Sequence, residues 1–220
     1  MNEPTHTTSP ARLIVFGATG SVGRLLVEQA LARGYAVTAF CRDPSRVELQ
    51  HPALRCVAGD VLDPARVREA IAGHDAVMVA LGAPLRDRSG LRTKGTRNII
   101  AGMREQGVDR LICLSVMGLG ESWNNLPLSY KAVVIPIILG RVVADHREQE
   151  AAILASGLDY TIVRPPNLTD DPGTGHPRHG FSGAEGRVGM HIPRADVATF
   201  MLDQLEAATY ARSCVAITGT

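Results

Sequence analysis

Hydrophobic positions cluster in short, almost unbroken runs at 12–16, 35–40, 54–58, 75–81, 110–115, 160–164 and 214–217. Runs of this length with few polar interruptions read as strands buried on both faces. Between them, 24–32, 64–72 and 91–106 carry apolar residues at helical spacing. Asp63 before Pro64 reads as a capped helix start. Strand and helix alternate along the chain. That rhythm predicts an α/β fold with one doubly wound parallel sheet, right-handed crossovers and helices on both faces. Ligands of such sheets lie outside the carboxyl ends of the strands. Asp60, Leu81, Gly82, Ala83, Ser115, Arg164, Pro165 and Pro166 should therefore converge there.

Three stretches break the rhythm. Residues 126–143 hold the apolar run 132–140, which contains Pro136 and Gly140 and is far short of the roughly 20 residues a spanning helix needs. It reads as a helix packed on the sheet and kinked at Pro136, buried with partial exposure. A wall of a substrate pocket or a subunit contact is the alternative. Residues 170–189 are rich in Gly, Pro and His and read as a mobile loop over the active face. His176, His179 and His191 fit no standard metal spacing and read as solvated, so no metal is expected. Residues 1–10 are polar and read as a disordered tail. The remainder, 11–220, reads as one domain, with no linker and no internal repeat.

Composition narrows the class. A 220-residue chain can bury one good core. Hydrophobic residues make up 45% but aromatics only 4%, which fits an aliphatic α/β interior. The formal net charge is +1, so neither nucleic acid nor an acidic membrane is expected as a partner. Cys41, Cys56, Cys113 and Cys214 are widely spaced, with no C-x-x-C pair. They read as small buried residues in a reducing cytoplasm.

The chemistry begins at Gly17-Ala18-Thr19-Gly20-Ser21-Val22-Gly23, directly after the first strand and opening the first helix. Glycines let the backbone approach a phosphate, and the helix N-terminus attracts its charge. This is the pyrophosphate cradle of a Rossmann-like dinucleotide-binding unit, in a G-x-x-G-x-x-G spacing. A tight turn with no ligand is the alternative. At the end of the second strand, Arg42 stands where NAD sites place a carboxylate. With Arg46 it forms a candidate clamp for the 2′-phosphate of NADP(H). Asp43, one position on, should face away from the ribose.

As a set, these residues resemble the atypical short-chain dehydrogenase/reductases. The NAD(P)H-binding, NmrA-like proteins are broad relatives, and the nearest group is the biliverdin-IXβ reductase/flavin reductase family. The resemblance covers the chain after the tail. It rests on Phe16 to Gly20, Arg42, Asp43, Arg46, Gly59 to Val61, Asp75 to Val77, Leu81, Gly82, Gly95 to Ile99, Gly107 to Asp109, Ser115, Asp145, His146, Ser156 to Leu158 and Arg164 to Pro166. It implies that Gly17, Thr19, Gly20, Ser21 and Val22 hold the pyrophosphate and that Arg42 and Arg46 hold the 2′-phosphate. It implies that Asp60 and Val61 border the adenine, that Leu81 and Gly82 line the inner ribose, and that Leu114, Ser115, His146 and Pro165 surround the nicotinamide end. It also implies a small substrate-side lobe built from the C-terminal loops. The departures lie on that side. Tyr130 is followed directly by Lys131, where the superfamily's main branch spaces the two as Tyr-x-x-x-Lys. Asn167 stands where the biliverdin-IXβ group has a histidine, and 123–141 is an insertion.

The expected activity is NADPH-dependent hydride transfer to a conjugated or ring-bearing small molecule (a flavin, quinone, tetrapyrrole or enone) by a monomer or homodimer. Such an acceptor can take its proton from solvent. Ser115 is a candidate donor to the acceptor oxygen, or a strand-end serine satisfied by backbone. His146 is a candidate acid, or only a polar helix residue beside Asp145. Tyr130, without a lysine at the helical spacing, should matter less than Ser115. The alternative is an NmrA-like redox sensor that binds NADP(H) without turning it over. An epimerase or dehydratase would need a proton-transfer pair that the sequence does not supply.

Overall fold

In the computed structural model, which describes residues 11–85, 87–181, 183–185, 188–207 and 209–220, the chain opens with β1 (Arg12–Phe16) and α1 (Ser21–Ala32). The tail 1–10 lies outside the described residues. There follow β2 (Ala36–Cys41), β3 (Leu54–Ala58), α2 (Pro64–Ile71), β4 (Ala76–Val79), α3 (Leu91–Gln106) and β5 (Arg110–Leu114). After a long excursion come α4 (Gly140–Leu154), β6 (Asp159–Arg164), β7 (Asn167–Thr169), β8 (Arg178–His179), β9 (His191–Pro193), α5 (Arg194–Ala207) and β10 (Ser213–Thr218). The main sheet runs β3-β2-β1-β4-β5-β6-β10-β8. Its strands pair in parallel from β3 through β10, and β8 pairs antiparallel with β10. The order reverses between β1 and β4, and a crevice opens at that switch point.

The strand period of two explains the double winding. In β1, Leu13 and Val15 enter a cluster with Leu26, Val27 and Met201, on the side of α1 and α5. Ile14 and Phe16 enter another with Val67, Ile99 and Ile153, on the side of α2, α3 and α4. Helix ends follow the expected chemistry. The Asp63 carboxylate accepts from Ala65 N and Arg66 N, and Pro64 fills the first position of α2. Gly107 ends α3 at φ +68°.

The segment before α4 departs from expectation. Tyr130–Leu139 is a π-helix running straight into α4, not a kinked buried helix. Pro136 lacks an N–H and its ring crowds the preceding turn, so a widened ladder accommodates it where a regular α-helix would not. Ile135 is buried, but Ile137 is 75% and Ile138 57% exposed. Ile135 and Val143 join Met117, Leu119 and Leu126 in a third cluster, with Tyr130, Phe181, Val188 and Met190 packed against it. This cluster and the two-stranded β7-β9 sheet make the small lobe, which draws on 116–143 as well as on the C-terminal loops. Nor is 170–189 without structure. It contains β8, and Asp196 accepts from Gly175 N and Thr174 Oγ1.

Candidate functional site

A groove of about 320 Å³ lies at the switch point, lined by Gly17, Thr19, Gly20, Arg42, Arg46, Asp60, Val61, Leu81 and Gly82 among others. The three glycines of the first turn have different reasons to be glycine. Gly17 sits at φ +84°, and a Cβ there would lie 2.3 Å from the Ala80 carbonyl oxygen. A Cβ on Gly23 would lie 2.0 Å from the Gly17 oxygen. Both are required by the fold itself. Gly20 has φ −75°, and a Cβ there would lie 3.1 Å from the Gly17 oxygen, a tight contact but far looser than at Gly17 or Gly23. It precedes α1 without any side-chain cap, and the first turn of α1 carries no acidic residue. The positive helix end is therefore presented at the groove. Gly82, on the opposite wall, faces open space. Of the glycines that line this groove, Gly20 and Gly82 are the two with most room for a Cβ. Of the neighbouring residues, Ser21 lines a different cavity beside Arg24 and Asp170. The Val22 side chain is buried in the α1/α5 cluster, so only its backbone is placed for a phosphate.

At the far end, β2 delivers Cys41 and Arg42, and a 3₁₀ turn (Pro44–Arg46) folds Arg46 back to the same wall. Asp43 makes that turn. Its carboxylate accepts from Ser45 N at 3.1 Å and Ser45 Oγ at 2.6 Å, which holds its pKa below the usual carboxylate range. Asp43 is thus committed to capping, and two exposed guanidiniums are left on the wall. Asp60 accepts from Leu62 N at 2.9 Å. Phe16 and Phe40 stack at 4.8 Å, and Gly59 is small because a Cβ would strike the Phe40 ring.

The other end differs from expectation. Leu114, Ser115, His146 and Pro165 do not line the groove, and neither does Tyr130. Ser115 is 5% exposed, and its hydroxyl donates to Glu150 Oε1 at 2.6 Å. Arg164 Nε and Nη2 reach the two oxygens of the same carboxylate at 3.0 and 2.7 Å. Burial would lower the Arg164 pKa, but Glu150 overrides it and the guanidinium is held above its usual range. The Ser115 proton thus belongs to a buried ion pair joining β5, α4 and β6, not to an open pocket.

His146 is also buried. Its Nδ1 donates to Gln149 Oε1 at 3.0 Å, and Gln149 Nε2 donates on to Thr96 at 2.9 Å. Desolvation, with Arg92 nearby, lowers its pKa to about 4. A neutral imidazole at pH 7 is no cationic acid, and of the two readings this burial favours a polar helix residue. Its neighbour Asp145 caps α3 from another helix, accepting from Arg92 N, Thr93 N and Thr93 Oγ1. The linkage has a definite sign. An unfolded histidine protonates below about pH 6.5 and the folded one only below about 4, so stability falls across that window as pH drops. Between pH 7 and pH 5 this site should cost about 2 kcal/mol. Urea unfolding at both pH values should show an acid loss about 2 kcal/mol larger in wild type than in His146→Gln, which keeps His74, a histidine also held low by burial. An equal acid loss in both proteins would contradict the assignment.

Tyr130 has gained a partner that its sequence neighbours do not suggest. Asn167 Nδ2 donates a short hydrogen bond to the Tyr130 phenol oxygen. Lys131 turns elsewhere, to the Asn124 carbonyl and over the Trp123 ring. Glu150 was missed altogether. The signal was present: Val143, His146, Glu150 and Ile153 share one helical face, and all are buried. Ala83 lines the groove as expected, and Phe40, Cys41, Pro84 and Leu91 line it without having been expected.

Comparison with known proteins agrees with this geometry. A family model described as NAD(P)H-binding matches residues 17–208. An uncharacterised chloroplastic protein of Arabidopsis thaliana is 31% identical over 184 residues, 79% of this chain and 65% of that protein. A 3-diazoavenalumate denitrifying reductase from a Streptomyces species is 35% identical over 188 residues, 77% of this chain and 60% of that enzyme. The chain therefore spans about two thirds or less of the length of these two relatives. A Veillonella parvula short-chain dehydrogenase/reductase, solved in complex with NADP, superposes with a TM-score of 0.80 at 19% identity, covering 96% of this chain and 94% of that one.

Proposed function

The chain belongs to the NAD(P)H-binding family whose model it matches over residues 17–208, and on that premise we propose that it is an NADPH-dependent reductase of a conjugated or ring-bearing small molecule. The observation that carries the reading is the groove wall, with Gly20 and Gly82 open toward the cavity at one end and Arg42 with Arg46 at the other. Gly17, Thr19, Gly20 and the first turn of α1 would hold the pyrophosphate. Arg42 and Arg46 would hold the 2′-phosphate, and Asp60 and Val61 would flank the adenine. Bound NADPH supplies a hydride. The protein's own task is to seat the acceptor at the carboxyl ends of β5 and β6, exclude water, and supply or admit a proton.

For the proton, the side-chain geometry favours Tyr130 over Ser115 and His146. The Asn167 amide donates to the phenol oxygen, which leaves the phenol hydrogen for the acceptor and stabilises the negative charge that remains. Ser115, locked to Glu150, acts as a positioning residue for the end of β5. His146 serves as a neutral strut. This ordering reverses the expectation drawn from sequence. A positioned general acid is worth roughly a hundredfold or more in rate. Tyr130→Phe should lower kcat by roughly tenfold or more and leave NADPH affinity intact. Ser115→Ala should change kcat only a few-fold. The check is steady-state kinetics of both variants on the best acceptor from a screen of flavins, quinones and enones. Wild-type turnover in Tyr130→Phe would place the proton source in solvent. Tight NADPH binding with no turnover on any acceptor would favour a sensor.

A further inference from the structure

Five of the large apolar side chains exposed among the described residues fall within 123–138: Trp123, Leu128, Val133, Ile137 and Ile138. All lie on the excursion between β5 and α4, at the end of the sheet where the small lobe sits. The face is anchored from beneath. Ile135 and Val143 pack with Met117, Leu119 and Leu126, so the outer side chains are held outward by a buried counterpart. Residues 123–143 contain two basic side chains, Lys131 and Arg141, and no acidic one. The nearest carboxylates in sequence are Glu121 and Asp145, both outside the stretch; Asp145 is already bound to the first turn of α3, and with Asp87 and Glu148 it lines the cavity that Arg141 borders. The formal charge of +1 averages over this local excess.

We propose that this face docks onto an anionic lipid surface, with Leu128, Ile137 and Ile138 inserted below the headgroups and Lys131 and Arg141 meeting lipid phosphates. An aliphatic patch with an aromatic at its edge and basic residues around it is the composition that seats at a bilayer interface. Trp123 supplies the aromatic edge, with the Lys131 ammonium 6.0 Å from its ring centre. No helix of the described residues is long and apolar enough to cross a membrane, so the contact is peripheral. A second copy of the chain fits less well. A two-fold pairing centred on Ile137 would set each Lys131 opposite position 143 and each Arg141 opposite position 133, which are valines. Each end of such a pairing would then bring one Lys131 and one Arg141 together, a like-charge contact. Docking in this way would turn the lobe toward the bilayer, so that an apolar acceptor could enter from lipid. That consequence rests on the reductase reading, whereas the docking itself does not.

The test is co-sedimentation of the full chain with phosphatidylcholine vesicles containing phosphatidylglycerol, against phosphatidylcholine alone. Binding is expected only to the anionic vesicles and should weaken as salt rises. Each basic residue at such a surface is worth roughly fivefold in partitioning, so Lys131→Ala with Arg141→Ala should weaken binding by about 25-fold. Ile137→Glu should abolish it with an unchanged Tm and unchanged NADPH binding, since Ile137 makes no core contact. Absence of wild-type binding would overturn the proposal, as would equal binding by Ile137→Glu. A dimer in light scattering that Ile137→Glu dissolves, without vesicle binding, would assign the face to a second copy instead.

Discussion

Gly20→Val is expected to abolish NADPH binding in a protein that still folds. The backbone at Gly20 has φ −75°, which any L-residue adopts, and the nearest atom to a new Cβ is 3.1 Å away. The fold must give only a few tenths of an ångström at the Gly17 carbonyl, far less than at Gly17 or Gly23. The isopropyl group enters the space where a pyrophosphate must approach the backbone. Displacing two charge-assisted contacts, each worth roughly 1.5–3 kcal/mol, weakens binding roughly a hundredfold or more. Gly17→Ala is the contrasting control. Its Cβ would overlap the Ala80 carbonyl at a positive φ, so this variant should lose the fold and the binding together. Thermal melts with and without NADPH separate the two. A Gly20→Val protein with a near-native Tm and no ligand-induced shift is the expected result. Retained affinity would mean that the phosphates lie elsewhere.

The second large effect concerns stability. Arg164→Met should cost about 3–5 kcal/mol at neutral pH, because it strands the Glu150 carboxylate in the interior with only the Ser115 hydroxyl to serve it. Both partners of the pair are under a tenth exposed, so solvent screening offers little relief. Removing both charges, in Glu150→Leu with Arg164→Met, should recover most of the loss, since a buried pair is not worth much against well-packed apolar side chains. Urea midpoints of the single and double variants decide this. A single-variant cost below about 1 kcal/mol would show the pair to be better hydrated than its burial implies.

What could be read from sequence, and what could not, follows the range of the interactions concerned. The first strand and the third helix are found at their expected bounds, 12–16 and 91–106, because burial pattern and capping are written in adjacent residues. The groove was legible for the same reason. Its parts are consecutive residues in strand-to-helix turns: Gly17 to Gly20, Arg42 to Arg46, Asp60 with Val61, and Leu81 with Gly82. The substrate end depends on side chains that meet across elements. Ser115 meets Glu150 at a separation of 35 residues, and Asn167 meets Tyr130 at 37. Nothing local marks either encounter, so Ser115 read as a free donor and Tyr130 as a residue without a helper. The apolar segment was misjudged through Pro136. Its effect on helix type could be anticipated, but whether a widened helix would sink into the lobe or stand on its surface depends on the packing of Ile135 alone.

The central claim is that the groove selects NADPH through Arg42 and Arg46. The most direct measurement is the dissociation constant of NADPH and of NADH, by calorimetry, for wild type and for Arg42→Ala with Arg46→Ala. A guanidinium–phosphate contact is worth roughly 1.5–3 kcal/mol. Wild type should therefore bind NADPH at least tenfold more tightly than NADH, and the double variant should bind the two alike. Equal affinity of wild type for both nucleotides would contradict the account.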